Sequence, residues 1–395
     1  MINLADLNNN RYLRFELINW WEQEILSNAR ILVVGCGALG NEIIKNLAML
    51  GAGNIFAVDM DKVERSNLTR SVLFRTEDES KPKAETVCRR AREINDAVNI
   101  QYYDGNVFEL GLGVFKIMDI VICGLDNREA RLYVNQACRK VNIPWIDGAI
   151  ETLSGVARLF MPGDGACYEC TMNEADFRLL NKRKSCLMLG IEDIQQGKIP
   201  TTPTISSMIA AVQVQEAVKY LHAKNGKGEG FQLLSGKGFV FNGVTNDSYI
   251  VEYQEKEDCP SHISFNDYYQ TGIPFEKATL KDVMEIGEKH FGNDKFSVNF
   301  NNEVIYALEN GEGVRIPFFA NMNTVKLSDI TVKGELQKII SFHTLRPDSS
   351  ELRNILNLTL IELKLPLNDI LTLYDGKESI HVDFVPCEKV LSVKC

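Results

Sequence analysis

Long apolar runs are absent from this sequence. No segment of the 395 residues reaches the roughly 18 consecutive apolar residues that are needed to span a membrane. The opening residues, MINLADLNNNRYLRFEL, contain no basic stretch followed by an apolar block, so they lack the pattern of a secretory signal. We therefore expect a cytoplasmic protein that has no membrane partner.

An excess of positive charge is also missing. The chain has 43 Lys and Arg residues against 53 Asp and Glu residues, which gives a net charge of −10 at pH 7. This balance argues against a general nucleic-acid-binding protein, because such proteins carry a basic surface. Binding of any phosphate group must therefore depend on a few individually placed cations.

Cysteine is too scarce for a disulfide scaffold, with ten residues in the whole chain. Because we expect no export, we expect the thiols to be reduced. Four of the ten lie in apolar or helical stretches, which is typical of small buried side chains. These are Cys36, Cys88, Cys123 and Cys138.

The first part of the chain alternates between strand and helix patterns. After a helix predicted over residues 1–29, residues 30–34 form a nearly continuous apolar run, as expected of a strand that is covered on both faces. Further strands are predicted at 54–58, 119–123 and 143–147, and helices at 40–50, 83–94 and 130–141. This rhythm predicts an α/β fold with a doubly wound, mostly parallel sheet.

The pattern changes beyond residue 150. Strands at 155–161 and 238–253 indicate a more antiparallel part, and a strong helix is predicted at 205–221. After Cys259 the composition shifts, so we place a first domain at 1–262 and a smaller α+β domain at 263–395.

Two stretches of the second domain resemble each other weakly. Residues 279–308 and 351–385 each predict a helix, a strand, a turn and a strand, with the turns at Asn301-Asn302 and Asp375-Gly376. This is the arrangement of small ubiquitin-like modules, and the plain alternative is a single α+β tail domain.

A glycine-rich turn, Gly35-Cys36-Gly37-Ala38-Leu39-Gly40, joins the first strand of the alternating region to a helix. Such a turn directs backbone N–H groups and a helix N-terminus at a phosphate group. Asp59 lies 19 residues after Gly40, at the end of the next strand, where a carboxylate can accept hydrogen bonds from ribose hydroxyls. Taken alone, this pattern favours an NAD-dependent dehydrogenase.

The residues that follow favour nucleotidyl transfer instead. Arg65, Arg70, Lys81 and Lys83 follow Asp59 closely, and a nucleotidyl transfer needs several cations because charge accumulates on the departing pyrophosphate. Each of them taken singly is equally consistent with a solvated surface charge. Asp126 ends a further strand, and a carboxylate at that edge of the sheet suits Mg²⁺, which binds one or two carboxylates besides phosphate oxygens.

Cys167-x-x-Cys170 and Cys259-x-x-His262 are two short-spaced pairs of soft ligands. Structural zinc sites combine such pairs into a closed tetrahedron. The four residues are therefore candidate zinc ligands that would tie the strands near residue 160 to the end of the first domain. The alternative is that the two pairs are unrelated.

A series of motifs in the first 260 or so residues resembles the ThiF/MoeB/HesA family and the related ubiquitin-activating enzymes. In order they are Arg11-Tyr12-x-Arg14, GCGALG, VDMD, SNLTR, KPKAE, GLDN, IDGAI and Cys167-x-x-Cys170. The resemblance implies a Rossmann-like adenylation fold. It also implies ATP-dependent adenylation of the C-terminal glycine of a ubiquitin-like or sulfur-carrier protein.

The resemblance further implies a role for each matching residue. Phosphates would lie on the backbone of Gly35, Gly37, Ala38 and Gly40, and the ribose would bind to Asp59. The triphosphate would bind to Asn67, Arg70 and Lys83, and Mg²⁺ to Asp126 with Asn127 beside it. Arg14 would reach into the partner's site of a homodimer.

Three positions depart from the family's pattern. Ala38 stands where many members have glycine, which is tolerable because the contacts are made by the backbone. Ser71 stands where many have glutamine. His262 stands where the resemblance implies a fourth cysteine ligand to zinc, and a site with three cysteines and one histidine is chemically acceptable.

Cys186 is the candidate nucleophile. Three cations, Lys182, Arg183 and Lys184, precede it, and cations beside a thiol favour the thiolate. In the resembling enzymes, a cysteine on this crossover loop takes over the activated C-terminus as a thioester or a sulfur adduct. The alternative is an inert loop cysteine beside a solvated basic run.

The second domain bears on the subclass. A rhodanese domain, which accompanies many sulfur-carrier enzymes, needs a cysteine at the head of an anion-binding loop, and residues 263–395 contain only Cys387 and Cys395, both near the end. A ubiquitin-like domain that docks a conjugating enzyme fits better. The leading hypothesis is therefore a thioester-forming activating enzyme. The alternative is a MoeB/ThiF-type enzyme for molybdopterin, thiamine or tRNA thiolation.

Two other classes fit less well. A non-catalytic scaffold subunit need not retain Arg14, Arg70, Lys83 and Asp126 together. A dehydrogenase would bind NAD and would have no use for ATP and Mg²⁺.

Overall fold

Two large sheets organise the described part of the chain, residues 10–178 and 200–387, in the computed structural model. The strands of the first sheet are β1 (Arg30–Val34), β2 (Asn54–Asp59), β3 (Asn99–Asp104), β4 (Ile120–Cys123), β5 (Trp145–Glu151), β6 (Ser154–Phe160), β7 (Lys237–Asn242) and β8 (Asp247–Glu252). The helices around it are α1 (Gln23–Asn28), α2 (Ala38–Leu50), α3 (Lys83–Ile94), α4 (Leu112–Lys116), α5 (Arg128–Lys140) and α6 (Pro203–Lys224).

The first sheet has the strand order β3-β2-β1-β4-β5-β6-β7-β8. Strands β1 to β5 pair in parallel, and β6, β7 and β8 add to β5 in antiparallel fashion. The strand order reverses between β1 and β4, which is where ligands bind in open α/β sheets. The prediction of an α/β fold with a doubly wound, mostly parallel sheet is confirmed.

Helices cover both faces of the parallel part, and this explains the apolar run of β1. Ile31 and Val33 pack with α2, α3 and α6 in one core, while Leu32 and Val34 pack with α4 and α5 in the other. Each such fully buried side chain contributes about 1.5–3 kcal/mol. None of the helices that the structure describes has both the length and the apolar character required to cross a membrane.

The structure differs from the sequence analysis at two places, the edge strand β3 and the segment before β1. Strand β3 was not predicted, because it lies at the sheet edge and its sequence, NIQYYD, is largely polar. The helix predicted over residues 1–29 is wrong for the described residues, where only α1 is helical and residues 11–20 form turns. The aromatic side chains of these turns are tertiary anchors. The ring of Trp20 lies 5.2 Å from that of buried His222, and Tyr12 Oη accepts a hydrogen bond from Asn95 Nδ2 (2.7 Å).

The second sheet combines both halves of the C-terminal region. Its strands are β9 (Tyr268–Pro274), β10 (Ser297–Glu309), β11 (Arg315–Asn321), β14 (Lys338–Leu345), β15 (Leu371–Tyr374) and β16 (Ser379–Val385), and a separate hairpin contains β12 (Thr331–Val332) and β13 (Glu335–Leu336). The strand order is β11-β10-β15-β16-β9, with β14 also paired to β10. Helix α7 (Leu280–Phe291) packs on this sheet, and the short α8 (Leu352–Ile355) belongs to the same core. The first and last strands, β9 and β16, are parallel.

The two turns predicted in this region have different outcomes. Asp375-Gly376 forms the hairpin turn between β15 and β16, with Gly376 at φ 97°. The turn predicted at Asn301-Asn302 is wrong, because β10 runs through both residues. Asn301 instead donates from Nδ2 to Asp369 Oδ1 (3.0 Å) and to the Ile370 carbonyl (2.7 Å). The two stretches that resemble each other, residues 279–308 and 351–385, thus contribute their strands to one sheet.

Backbone hydrogen bonds join the segment before α4 of the first unit to the segment before β15 of the second. Gly111 N donates to Leu367 O and Leu367 N donates to Glu109 O, each over 2.7 Å. Leu112 N donates to the buried carboxylate of Asp369 (3.1 Å). Ile370 packs into the core between the first sheet and α4 and α5. The contact thus includes core packing as well as surface contact.

The close approach at Gly111 leads to a stability prediction. A Cβ atom built at Gly111 lies 2.4 Å from backbone atoms of Asp369. We expect Gly111→Ala to lower the free energy of unfolding by about 1–3 kcal/mol, because the segment before α4 must move away from Asp369. Urea denaturation measures this loss.

Gly272→Ala in β9 is the matched control, since a Cβ atom there meets nothing within 4 Å. We expect it to change stability by less than about 0.5 kcal/mol. Equal effects of the two substitutions would show that the contact at Gly111 does not constrain the fold.

Candidate active site and metal cluster

The glycine turn connects the carboxyl end of β1 to the N-terminus of α2, and its glycines serve different purposes. Gly35 adopts φ 90°, and a Cβ atom at Gly40 would lie 1.9 Å from the Gly35 carbonyl oxygen, so the fold itself requires both. A Cβ atom at Gly37 meets nothing within 4 Å. Gly37 is the N-cap of α2 and no side chain caps this helix end. The open space therefore faces a helix N-terminus suited to an anion.

Asn41 holds the turn in place. Its Nδ2 donates to the carbonyl oxygens of Cys36 (2.7 Å) and Gly37 (3.0 Å), and its Oδ1 accepts from Leu73 N (2.9 Å). The side chain is fully buried. The sequence analysis missed this residue, although an asparagine on the apolar side of a helix next to a glycine turn is itself a signal.

Asp59, at the end of β2, is linked to the same turn. Its Oδ2 accepts from Cys36 N (2.7 Å) and its Oδ1 accepts from Asp61 N (2.8 Å). Burial raises the pKa of Asp59 above its ordinary value, although Lys83 and these two N–H groups oppose the rise. Each oxygen retains lone-pair capacity for a further donor.

Lys83 lies beside the carboxylates of Asp59 and Asp61. Its Nζ is 2.8 Å from Asp61 Oδ2. Burial alone would lower the pKa of Lys83, but the charges of Asp59 and Asp61 outweigh burial, so the pKa is raised. Lys83 is therefore a charged ammonium at neutral pH, close to the end of β2.

Asn67 lies on the short helical turn Arg65–Thr69, and Arg70 lies at the end of that turn. Asn67 is buried, and its Oδ1 accepts from Glu64 N (2.9 Å). Arg70 donates from Nη1 to the Ser66 carbonyl (2.8 Å) and is half-buried. Both side chains are thus oriented by local hydrogen bonds.

Asp126 and Asn127 follow the carboxyl end of β4. Asp126 is exposed, whereas Asn127 Oδ1 accepts from Ala130 N (2.8 Å) and caps α5. A Cβ atom at Gly35 would lie 2.8 Å from the Gly124 carbonyl, so this loop touches the glycine turn. The structure therefore brings the ends of β1, β2 and β4 together at one edge.

The remaining two predicted residues are Arg14 and Cys186. Among the described residues Arg14 makes no hydrogen bond or ion pair, and its side chain is exposed in the segment before α1. Cys186 lies outside the described residues, as does the basic run before it.

A buried ion cluster beside β4 was missed by the sequence analysis. Asp147, on β5, is fully buried and pairs with Arg131 Nε (2.9 Å) and with Arg158. Burial by itself raises the pKa of Asp147, but the two arginines outweigh it and hold the pKa below its ordinary value. Asp147 lies in the motif IDGAI, but nothing in that motif indicates which cations pair with it.

The four candidate metal ligands come together at the end of the first sheet. Cys167 Sγ lies 3.7 Å from Cys170 Sγ and 3.6 Å from Cys259 Sγ, and Cys170 Sγ lies 3.3 Å from His262 Nε2. All four donor atoms lie within 4.8 Å of one another. A tetrahedral zinc ion with bonds of about 2.3 Å separates two sulfur atoms by about 3.8 Å, so the donor set fits zinc.

Neighbouring groups orient these ligands. Asn135 Nδ2, on α5, lies 3.5 Å from Cys167 Sγ, and Lys256 N donates to Cys170 Sγ over 3.4 Å. His262 Nδ1 lies 3.4 Å from Glu255 Oε1, which leaves Nε2 directed at the sulfurs. Such outer partners are typical of metal sites.

Comparison with known proteins supports the same assignment of the fold. The ThiF family model matches residues 9–261. The SAMP-activating enzyme E1 of Haloferax volcanii is 32% identical over 240 residues, which cover 60% of this chain and 80% of that enzyme. The NEDD8-activating enzyme E1 catalytic subunit of Arabidopsis thaliana is 38% identical over 162 residues, which cover 38% of this chain and 36% of that subunit. The chain thus spans little more than a third of the length of the plant subunit.

Solved structures give the same result. The crystal structure of E. coli MccB with ATP has a TM-score of 0.52 and 25% identity, covering 65% of this chain and 75% of that chain. The structure of E. coli MccB with succinimide has a TM-score of 0.53 and 25% identity. Since the family model spans more than half of the chain and the match covers four fifths of the Haloferax relative, this protein belongs to the ThiF family.

Proposed function

We propose that this chain is an ATP-dependent activating enzyme that adenylates the C-terminal glycine of a ubiquitin-like protein. The observation that carries the proposal is the open space at Gly37, which faces the N-terminus of α2 where the ends of three strands meet. Charged Lys83 and exposed Asp126 lie at the same edge. The Haloferax relative, named as a SAMP-activating enzyme, and E. coli MccB, crystallised with ATP, support this choice of reaction.

The proposed reaction is a nucleotidyl transfer. An oxygen of the carrier's C-terminal carboxylate attacks the α-phosphorus of ATP, the bond from that phosphorus to the bridging oxygen breaks, and pyrophosphate leaves. The protein's contribution is positioning and stabilisation of charge, with no covalent bond of its own at this step.

Each part of the site has a role in this reaction. The backbone of Gly35, Gly37, Ala38 and Gly40 binds phosphates, Asp59 accepts the ribose hydroxyls, and Asn67, Arg70 and Lys83 stabilise the charge that develops on pyrophosphate. Mg²⁺, when bound, would neutralise phosphate charge. Asp126, with Asn127 beside it, is the residue that would hold it.

The second proposed step transfers the carrier to Cys186. The thiolate sulfur attacks the carbonyl carbon of the adenylate, and AMP leaves as the thioester forms. We assign the subsequent handover to a conjugating enzyme docked on the C-terminal unit. The parallel pairing of β9 with β16, and α7 packed across the sheet, support a ubiquitin-like unit for that purpose.

Arg14 supports a homodimeric enzyme. Its exposed side chain lies in the turns before α1, where the neighbouring Arg11 and Tyr12 bond to Ile94 and Asn95 at the C-terminal end of α3. The family resemblance implies that it acts in the partner's site, where a further cation would add to Arg70 and Lys83.

We also propose a structural zinc ion, held by Cys167, Cys170, Cys259 and His262. It joins the segment after β6 to the segment after β8, and no donor position remains for a substrate once four protein ligands are bound. The metal would therefore stabilise the fold without taking part in adenylation.

Carrier-dependent exchange tests the adenylation step. Labelled pyrophosphate should exchange into ATP only in the presence of a carrier ending in Gly-Gly. Gly37→Ala should weaken ATP binding by about tenfold, or 1.4 kcal/mol, because the new methyl group occupies the phosphate space. Its free energy of unfolding should change by no more than about 1 kcal/mol, since the fold leaves room for that group.

Gly40→Ala provides the contrast within the same turn. It should reduce stability, because a Cβ atom there collides with the Gly35 carbonyl. A folded Gly37→Ala protein with unchanged ATP affinity would refute the phosphate assignment, and binding of NAD in place of ATP would restore the dehydrogenase hypothesis.

Metal analysis tests the proposed zinc site. The purified protein should contain about one zinc ion per chain, as closed four-ligand sites do. Cys259→Ala should lose the ion, whereas Cys138→Ala, which removes a buried thiol outside the cluster, should retain it. Equal zinc content in wild type and Cys259→Ala would rule out this site.

Mass spectrometry tests the role of Cys186. After incubation with ATP, Mg²⁺ and the carrier, wild type should carry a thiol-sensitive thioester at Cys186. Cys186→Ala should retain pyrophosphate exchange and lose the adduct, and Cys387→Ala should retain both. A persulfide or acyl disulfide at Cys186 would support the sulfur-carrier alternative, and an adduct that persists in Cys186→Ala would place the chemistry elsewhere.

A further inference from the structure

We propose that Arg131 and Gln213 are positioning residues that fix the backbone of the loop carrying Asp126. This inference rests on the proposed function, since it assigns Asp126 to Mg²⁺. The two side chains come from helices on opposite faces of the first sheet, Arg131 from α5 and Gln213 from α6. Together they hold the end of β4 from both sides.

Two peptide groups before Asp126, Cys123–Gly124 and Leu125–Asp126, are held by hydrogen bonds. Gln213 Nε2 donates to the Cys123 carbonyl over 2.8 Å, and Arg131 Nη2 donates to the Leu125 carbonyl over 2.6 Å. Gly124 N, in the same peptide group as the Cys123 carbonyl, donates to Val34 O in β1 (2.9 Å). The carboxylate of Asp126 is therefore exposed on a backbone that cannot turn freely.

Arg131 is itself held in place. Its Nε lies 2.9 Å from Asp147 Oδ1, and its Nη2 also reaches the Gly148 carbonyl (3.1 Å). Asp147 is fully buried, and its other oxygen pairs with Arg158. A guanidinium can make these bonds simultaneously because its donors form a rigid planar fork, whereas a lysine cannot.

Gln213 is constrained by one hydrogen bond and by close packing. It is fully buried, and a Cβ atom at Gly148 would lie 2.4 Å from Gln213 Oε1. Only a glycine at that position of β5 allows the side chain to pass from α6 to the Cys123 carbonyl. The glycine and the glutamine therefore form one contact, located beside the Asp126 loop.

Precise placement of the loop matters for Mg²⁺ in particular. Mg²⁺ demands near-ideal octahedral geometry and binds few protein ligands, so a displaced carboxylate loses it. The glycine turn is held by different hydrogen bonds, from Asn41 Nδ2 to the Cys36 and Gly37 carbonyls. Loss of Arg131 should therefore weaken binding of ATP with Mg²⁺ more than binding of ATP alone.

Calorimetric titration of the full chain with ATP, with and without Mg²⁺, tests the proposal. Arg131→Lys should weaken binding with Mg²⁺ by about tenfold or more, as loss of outer metal-site partners does, and should change metal-free binding less than about twofold. In an Asp126→Asn background, Arg131→Lys should cause no further loss, because it acts only through Asp126. Arg128→Lys, three residues earlier on α5 and half-exposed in an ion pair with Asp176, is the matched control and should bind as wild type does.

The outcomes separate the two proposals. Equal losses with and without Mg²⁺ in Arg131→Lys, or the full loss in the Asp126→Asn background, overturn the positioning role and leave the proposed function intact. A wild-type chain whose ATP binding does not respond to Mg²⁺ overturns both. If Arg131→Lys does not fold, Gln213→Met, which removes the donor to Cys123 at similar volume, gives the same test, and an unchanged Mg²⁺ response in that variant overturns the proposal.

Discussion

The close contact among Gly35, Gly40 and Gly124 is the constraint on which the rest of the site depends. A side-chain carbon at Gly35 would meet the Gly124 carbonyl at 2.8 Å, and one at Gly124 would meet Gly40 N at 2.9 Å. This contact sets the end of β1, the start of α2 and the end of β4 against one another. The free helix N-terminus and the Asp126 carboxylate thereby lie at the same edge, where an open α/β sheet binds ligands.

The sequence predicts the fold well where local pattern and tertiary environment agree. Both faces of β1 are covered by helices, so its sequence is uniformly apolar and easily interpreted. At the edge strand β3 only part of the surface is covered, and the polar sequence conceals the strand. Asn301 and Asn302 have strong turn propensity. Asn301, however, donates hydrogen bonds to Asp369 and to the Ile370 carbonyl, so tertiary contacts override the local preference.

The site likewise contains residues that the sequence pattern predicts and residues that it does not. Gly37, Asp59 and Asp126 follow strand ends in the sequence, so their common edge follows from parallel pairing alone. Gln213 reaches the Cys123 carbonyl across 90 positions of sequence, and no local pattern predicts such a partner. The cysteine cluster is intermediate, because the short spacing identifies each pair but only the fold brings Cys170 and His262 to 3.3 Å.

Helix α5 connects features that have been described separately. Asn127 caps its start beside Asp126, Asn135 contacts Cys167 near its middle, and Lys140 at its end bonds to Asn301 of the second sheet (2.8 Å). Its 13 residues form a strut about 20 Å long. The length of α5 therefore fixes the spacing between the Asp126 loop, the cysteine cluster and the second sheet.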